Sequence, residues 1–190
     1  MRIVAGKWRG QPLRQPPESI TRPTTDRVRE ALFSALDSRI DWEGLHVLDA
    51  FAGSGALGLE ALSRGAAHAT FCEVNGKVLP ILKGNISGLR DASRASTVLR
   101  ADVFKHPPVP SRPFGLVFLD PPYAVPASEV AALVEALEAA GALAPDVFVH
   151  YEHAKKDTSA AQDAFEQIQW DPVVAKRYGD IAYELYRRDR

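Results

Sequence analysis

Apolar residues recur at Val28, Ala31, Leu32, Ala35 and Leu36, a spacing that gathers them on one side of a helix. Thr24, Thr25 and Asp26 stand just ahead of that run and offer side-chain oxygens to the free amides of a first turn. From residue 45 the pattern alternates. Leu45–Ala50, His68–Glu73, Thr97–Arg100, Phe114–Asp120 and Val147–Glu152 read as strands. Ala56–Arg64, Lys77–Leu89 and Ser128–Ala140 read as helices. Gly65 stops the first of these, Pro80 and Gly84 weaken the second, and Val130, Leu133, Val134 and Leu137 give the third an apolar face. A proline-rich loop covers Pro107–Pro113. Phe165–Val174 and Ile181–Arg187, around Tyr178-Gly179-Asp180, read as a closing β-hairpin.

Strands alternating with helices predict an α/β fold with a mainly parallel sheet, in which ligands bind beyond the carboxyl ends of the strands. Asp49, Glu73, Asp102 and Asp120 all fall at or just past such ends. The first 25 residues, broken by Gly6, Gly10, Pro12, Pro16 and Pro17, predict an arm or small hairpin ahead of a main domain over 26–190.

Composition adds exclusions. The 190 residues are 46% hydrophobic and 25% charged, values that rule out disorder or a fibrous repeat for the whole chain. No run of 18 apolar residues predicts a membrane span, and the first residues lack a secretory apolar region. A single cysteine, Cys72, leaves no partner for an internal disulfide or a cysteine-based zinc site. The expectation is a cytoplasmic protein. The formal net charge is −1, but it is unevenly spread. Residues 1–29 hold seven basic groups against two acidic ones, and the remainder hold 16 against 22. A basic arm on an acidic body suits a polyanionic partner, and equally a solvated tail.

Asp49-Ala50-Phe51-Ala52-Gly53-Ser54-Gly55-Ala56-Leu57-Gly58 joins a strand to a helix and contains G-x-G-x-x-G, with Glu73 20 residues beyond Gly53. Two ligands suit such a loop. A dinucleotide would set its pyrophosphate on the helix N-terminus, but Asp49 would then place a carboxylate beside it. S-adenosylmethionine has no phosphate, and its ammonium and sulfonium would be attracted to that carboxylate. Glu73 can accept from ribose hydroxyls, and Asp102 from an adenine amino group.

Asp120-Pro121-Pro122-Tyr123 follows the most apolar strand. The prolines have no N–H, so this stretch presents acceptors alone. Asp120 and the Pro121 carbonyl can each take one N–H of an aromatic amine while Tyr123 stacks on the ring. Held this way, the amine lone pair turns out of the ring and toward a methyl donor. Positioning and electrostatics supply most of the rate, and Asp120 accepts the proton during or after attack.

With these residues in view the chain resembles the bacterial small-subunit ribosomal RNA guanine-N2 methyltransferases, within the wider class of exocyclic-amine methyltransferases. The likeness spans nearly the whole chain. It includes Arg2-Ile3-Val4-Ala5-Gly6-Lys7-Trp8-Arg9-Gly10, the block Arg22-Pro23-Thr24-Thr25-Asp26-Arg27-Val28-Arg29-Glu30, the run from Asp49 to Gly65, Asp120–Tyr123, and Arg177-Tyr178-Gly179-Asp180. The resemblance implies a Rossmann-like class I methyltransferase fold: a seven-stranded, mainly parallel sheet with a C-terminal hairpin and a small basic N-terminal extension. It implies S-adenosylmethionine as cofactor and one guanine of 16S rRNA as substrate, at the family's position 966, in an assembled or assembling small subunit; a monomer is expected, though the resemblance does not supply it. On the same basis Asp49, Phe51, Ala52, Gly53, Ser54, Gly55, Glu73, Asp102 and Val103 line the cofactor site, and Asp120, Pro121, Pro122 and Tyr123 form the catalytic site. Asn75 stands where such enzymes often carry a second acid. The arm then becomes an RNA contact, with Arg2, Lys7, Arg9, Arg22 and Arg27 meeting phosphates. Trp8 either stacks on a base or is buried under the arm, and the block from Arg22 to Asp26 either meets RNA or braces the first helix.

Other groups are read as packing. His150 and His153 are three apart in a strand and so point to opposite faces. The five histidines are expected at the surface or in the core, Cys72 as a small core side chain, and Lys155-Lys156 as a solvated turn. Ser54 lacks the G-x-S-x-G setting of a nucleophile. Rival readings are a DNA adenine-N6 or cytosine-N4 methyltransferase, which would need room for a target-recognition domain. A glutamine-modifying enzyme would normally begin the tetrad with Asn, and a non-catalytic RNA-binding module would have lost some of these residues.

Overall fold

The computed structural model describes residues 1–17 and 26–188. Arg22 and the Thr24–Thr25 cap lie outside the described residues. Among the described residues five α-helices and seven strands follow one another: α1 (Asp26–Asp37), β1 (His46–Asp49), α2 (Ala56–Arg64), β2 (His68–Cys72), α3 (Leu79–Gly88), β3 (Ser96–Leu99), β4 (Phe114–Leu119), α4 (Ala127–Ala139), β5 (Leu143–Ala154), α5 (Thr158–Gln167), β6 (Asp171–Tyr178) and β7 (Ile181–Arg187). The strand order is β3-β2-β1-β4-β5-β7-β6. The chain divides into two compact units, Met1–Ala101 and Asp102–Arg190.

In the first unit β1 is parallel to β2, and β2 to β3. The short β1 is followed at once by a turn whose Gly55 has φ 82°, a left-handed conformation that costs glycine little. A Cβ there would stand 2.5 Å from the Leu82 side chain. Proline is tolerated in α3 because Pro80 occupies its first turn, where no amide needs a partner.

The N-terminal arm belongs to this unit. It closes into a small loop by an antiparallel bridge between Arg2 and Pro12. The Val4 and Ala5 amides donate to the two carboxylate oxygens of Glu60, at 2.7 and 3.0 Å. Glu60 is fully buried in α2 and also accepts from Arg64 Nε at 3.0 Å. The Lys7 amide donates to the Ser63 carbonyl and the Trp8 amide to Ser63 Oγ. Gly6, at φ 80°, passes so close to α2 that a Cβ would lie 1.9 Å from the Ser63 oxygen. Arg29, buried in α1, donates to the Arg2 carbonyl at 2.8 Å. The arm is thus a fixed layer over α1, α2 and α3.

In the second unit β4 is fully buried and parallel to β5, and β7 is antiparallel to both β5 and β6. Two departures from expectation concern β5 and the hairpin. β5 runs over 12 residues instead of six because its first half continues along β4 past a register irregularity between Phe114 and Leu116. Phe165 is not in a strand. It belongs to α5, whose buried positions Thr158, Ala161, Ala164 and Phe165 follow the helical period. The hairpin is β6–β7, beginning at Asp171. Phe165 stacks between Tyr151 and Tyr186, at centroid distances of 5.6 and 3.9 Å, and joins α5 to the sheet.

Candidate active site

The glycine-loop carboxylates first organise the loop. Buried Asp49, at the end of β1, accepts the Gly58 amide at 2.9 Å, filling one of the free donors at the start of α2. Glu73, just past β2, accepts the Gly53 amide at 2.9 Å through one oxygen and the Asn75 amide at 2.7 Å through the other. Asn75 turns its own side chain to the Lys77 amide. Each carboxylate has about four acceptor positions, so Glu73 keeps capacity for hydroxyl donors. Beneath the loop, burial and the charge of Asp49 push the Cys72 thiol up to about 12, so it is an inert core side chain as expected.

This wiring tests which ligand the loop suits. A phosphate needs free amides at the helix start, yet the Gly53 and Gly58 amides already serve carboxylates. What remains is a negatively charged, closely approachable turn, which fits a cationic, phosphate-free cofactor. Phe51 is half-buried and Ala52 and Ser54 are buried at the same turn. The Ser54 carbonyl accepts from Asn85 Nδ2 at 2.8 Å. Asn85 also exchanges two hydrogen bonds with the Arg14 backbone, of 2.8 and 2.9 Å. One buried amide of α3 therefore ties the arm to the glycine loop. Neither this role nor that of Glu60 was anticipated. For Glu60 the available signal was a charged and a polar residue, Glu60 and Ser63, three apart in a helix whose one other polar side chain is its last residue, Arg64.

The second unit opens with Asp102, whose Oδ1 accepts the Phe104 amide at 3.2 Å and whose Oδ2 lies 3.4 Å from Lys105 Nζ. Val103 is buried beside it. Asp120 follows β4 and is half-buried, Pro121 is buried, and Pro122 and Tyr123 are exposed. Past Pro121 lies a cavity of about 410 Å³ whose wall includes Pro121, Pro122, Tyr123, Glu152, His153 and Lys156.

Comparison with known proteins places this arrangement. A family model described as conserved hypothetical protein 95 matches residues 1–187. Ribosomal RNA small subunit methyltransferase D of Escherichia coli strain K12 is 36% identical over 189 residues, covering 100% of this chain and 90% of the relative. The chain belongs to that family. The relative of the same name in Haemophilus influenzae is 36% identical, over 98% of this chain and 93% of its own length. A solved structure described as the putative methyltransferase yhhF of Escherichia coli superposes with a TM-score of 0.82 at 35% identity, covering 100% of this chain and 98% of that one. At 15% identity, magnesium protoporphyrin IX methyltransferase from Synechocystis with bound S-adenosylmethionine shares the fold, with a TM-score of 0.69. The architecture is the Rossmann-like class I methyltransferase fold that the sequence leads one to expect, C-terminal hairpin included.

In this family member the arm carries Arg2, Lys7 and Arg9 with exposed side chains, and Arg27 is exposed on α1. Trp8 takes the packed alternative: it is 6% exposed, its Nε1 donates to the Arg90 carbonyl at 3.1 Å, and Lys7 Nζ stands 4.5 Å over its ring. Stacking on a base is not open to it in this conformation. The histidines pack as anticipated. His150 is fully buried between the rings of Phe118 and Tyr183. Burial and the nearby His153 charge depress its pKa to about 3. Burial disfavours charge on His153 too, but hydrogen bonds to Glu184 at 2.6 Å and to the Ala154 carbonyl at 2.9 Å prevail and raise its pKa. Both ring nitrogens face acceptors, so His153 is an imidazolium paired with Glu184. Lys155 and Lys156 form an exposed turn. Among the described residues no group of three metal-ligating side chains is assembled, and no helix is long and apolar enough to cross a membrane.

Proposed function

We propose that this chain transfers a methyl group from S-adenosylmethionine to the exocyclic N2 of a guanine in 16S rRNA, at the family's position 966, within the small ribosomal subunit. The observation that carries the reading is Asp120-Pro121-Pro122-Tyr123 directly after β4, with Pro121, Pro122 and Tyr123 lining a cavity, in a chain of this family. Asp49, Phe51, Gly53, Gly55 and Glu73 of the first unit would hold the cofactor, with Asp102 the expected acceptor for its adenine amine, and the cofactor would supply an electrophilic methyl on a sulfonium. Asp120 and the Pro121 carbonyl each accept one N–H of the amine and hold its lone pair out of the base plane. Tyr123 covers the face of the base. As the N–C bond forms and the C–S bond breaks, the amine proton leaves to Asp120 and then to water. Exposed Arg2, Lys7 and Arg9 of the rigid arm, with Arg27 of α1, meet RNA phosphates.

The test is nucleoside mass spectrometry on small subunits from cells lacking this gene, incubated with the protein and labelled cofactor. Labelled N2-methylguanosine in 16S rRNA is the expected product. Label on adenosine or cytidine would keep the tetrad chemistry and overturn the base assignment. Absence of label from subunits, precursor particles and naked rRNA alike would overturn the reading.

A further inference from the structure

Resting on the guanine reading above, we propose that Glu152 is the residue that selects guanine, its carboxylate accepting N1–H while Asp120 and the Pro121 carbonyl take the N2 amine. Three observations support this. First, the register pairs Leu119 of β4 with Tyr151 of the parallel β5, so Asp120, just past the end of β4, comes beside Glu152, two residues before the end of β5 and on the same side of the sheet. Adjacent strands lie about 4.8 Å apart, which suits two acceptors meeting neighbouring donors on one edge of a planar base. Second, Glu152 is 4% exposed, and the stretch from Tyr151 to Ala154 that contains it borders the cavity that Pro121 and Tyr123 also line. Third, the backbone beneath it is held still. The next residue, His153, is bound through both ring nitrogens, and its bond to Glu184 clamps β5 to β7.

The chemistry of the base supplies the rest. The Watson–Crick edge of guanine presents N1–H and the N2 amine as adjacent donors, whereas adenine and 2,6-diaminopurine present a bare N1, an acceptor. A carboxylate at that position attracts the first and repels the others. Asp120 alone does not make this distinction, because 2,6-diaminopurine carries the same N2 amine. Lys156, on the same cavity wall, is a cation of the right kind for the guanine O6.

The experiment compares guanosine with 2,6-diaminopurine riboside at the methylated position of 16S rRNA reconstituted into small subunits. Methyl transfer is read for the wild type and for Glu152→Gln, with cofactor affinity and thermal midpoint as controls. The wild type should prefer guanosine by at least about 10³-fold, as sites built around a buried hydrogen bond do. Glu152→Gln should lose about 10- to 100-fold in kcat/KM on guanosine. It should gain on diaminopurine, whose N1 can accept from the new amide, so that the preference collapses while cofactor affinity holds. A variant that keeps the wild-type preference, at whatever rate, overturns the inference. So does a wild type that methylates both bases equally well, a result that needs no variant to fold. In either case N2-methylguanosine from the wild type leaves the proposed function standing. Its absence would remove that function and this inference together.

Discussion

Replacing Glu60 by Gln tests whether the arm is a structural layer or a tethered tail. The carboxylate is fully buried, divides its oxygens between the Val4 and Ala5 amides, and also meets Arg64. A carboxamide keeps one acceptor. Its NH2 then faces a backbone N–H, leaving a buried donor without a partner. A hydrogen bond to a charged group contributes about 1.5–3 kcal/mol, and an orphaned donor costs about 1–3 kcal/mol. Allowing for partial relaxation, the arm should lose roughly 2–4 kcal/mol of docking free energy. Because 1.4 kcal/mol is a factor of ten, the amides that depend on docking should exchange roughly 30- to 700-fold faster. The assay is hydrogen exchange at Lys7 and Trp8, whose amides donate to Ser63, with urea unfolding of the whole chain alongside. The α2 amides should change less than those of the arm. Protection at Lys7 and Trp8 within about threefold of wild type would refute the reasoning, since a buried acceptor of this kind cannot be removed at so small a cost.

Gly55→Ala forces a side chain into the left-handed region and to 2.5 Å from Leu82; it should cost about 1–3 kcal/mol in urea unfolding and weaken cofactor binding by calorimetry. Asp120→Ala should abolish methyl transfer with cofactor affinity nearly unchanged, and a large calorimetric loss would contradict that division of labour. Lys7→Glu with Arg9→Glu should weaken RNA binding and flatten its dependence on salt; an unchanged slope would make the arm purely structural. The two buried histidines predict a stability maximum near pH 6.5, the ordinary histidine pKa. Below it, His150 is neutral in the folded chain but protonated when unfolded, so stability falls as pH drops toward 3. Above it, the raised His153 keeps a proton that the unfolded chain has released, so stability falls as pH rises toward the folded His153 pKa. The acid limb should approach about 1.4 kcal/mol per pH unit, and His150→Leu should flatten it in pH-dependent urea titrations.

The alternation that defines the sheet was legible because β4 is a continuous apolar run and α2 ends at a glycine. The tetrad was legible because its residues are contiguous. The helix over Thr158–Gln167 was missed because its buried face is built mainly of alanine, which is weakly apolar, so Phe165 drew attention as part of a strand. Long-range pairings were beyond reach for a different reason. Glu60 with Val4, or Asn85 with Arg14, are separated by 56 and 71 residues, and nothing local in either partner announces the other. For the same reason Glu152 looked like the tail of a strand until the register set it beside Asp120.

The docking of the arm has a consequence for how the protein is born. The bond from Trp8 to Arg90 spans 82 residues. At synthesis rates of about 5–20 residues per second, Arg90 follows Trp8 by roughly 4–16 s. During that interval α1 and α2, made earlier, supply Arg29, Glu60 and Ser63 to the arm, but the indole of Trp8 still lacks its acceptor. Asn85 of α3 then meets the Arg14 backbone, and Arg90, just past that helix, gives the indole its carbonyl. The indole is therefore the last part of the arm to be secured, after the chain has grown past α3.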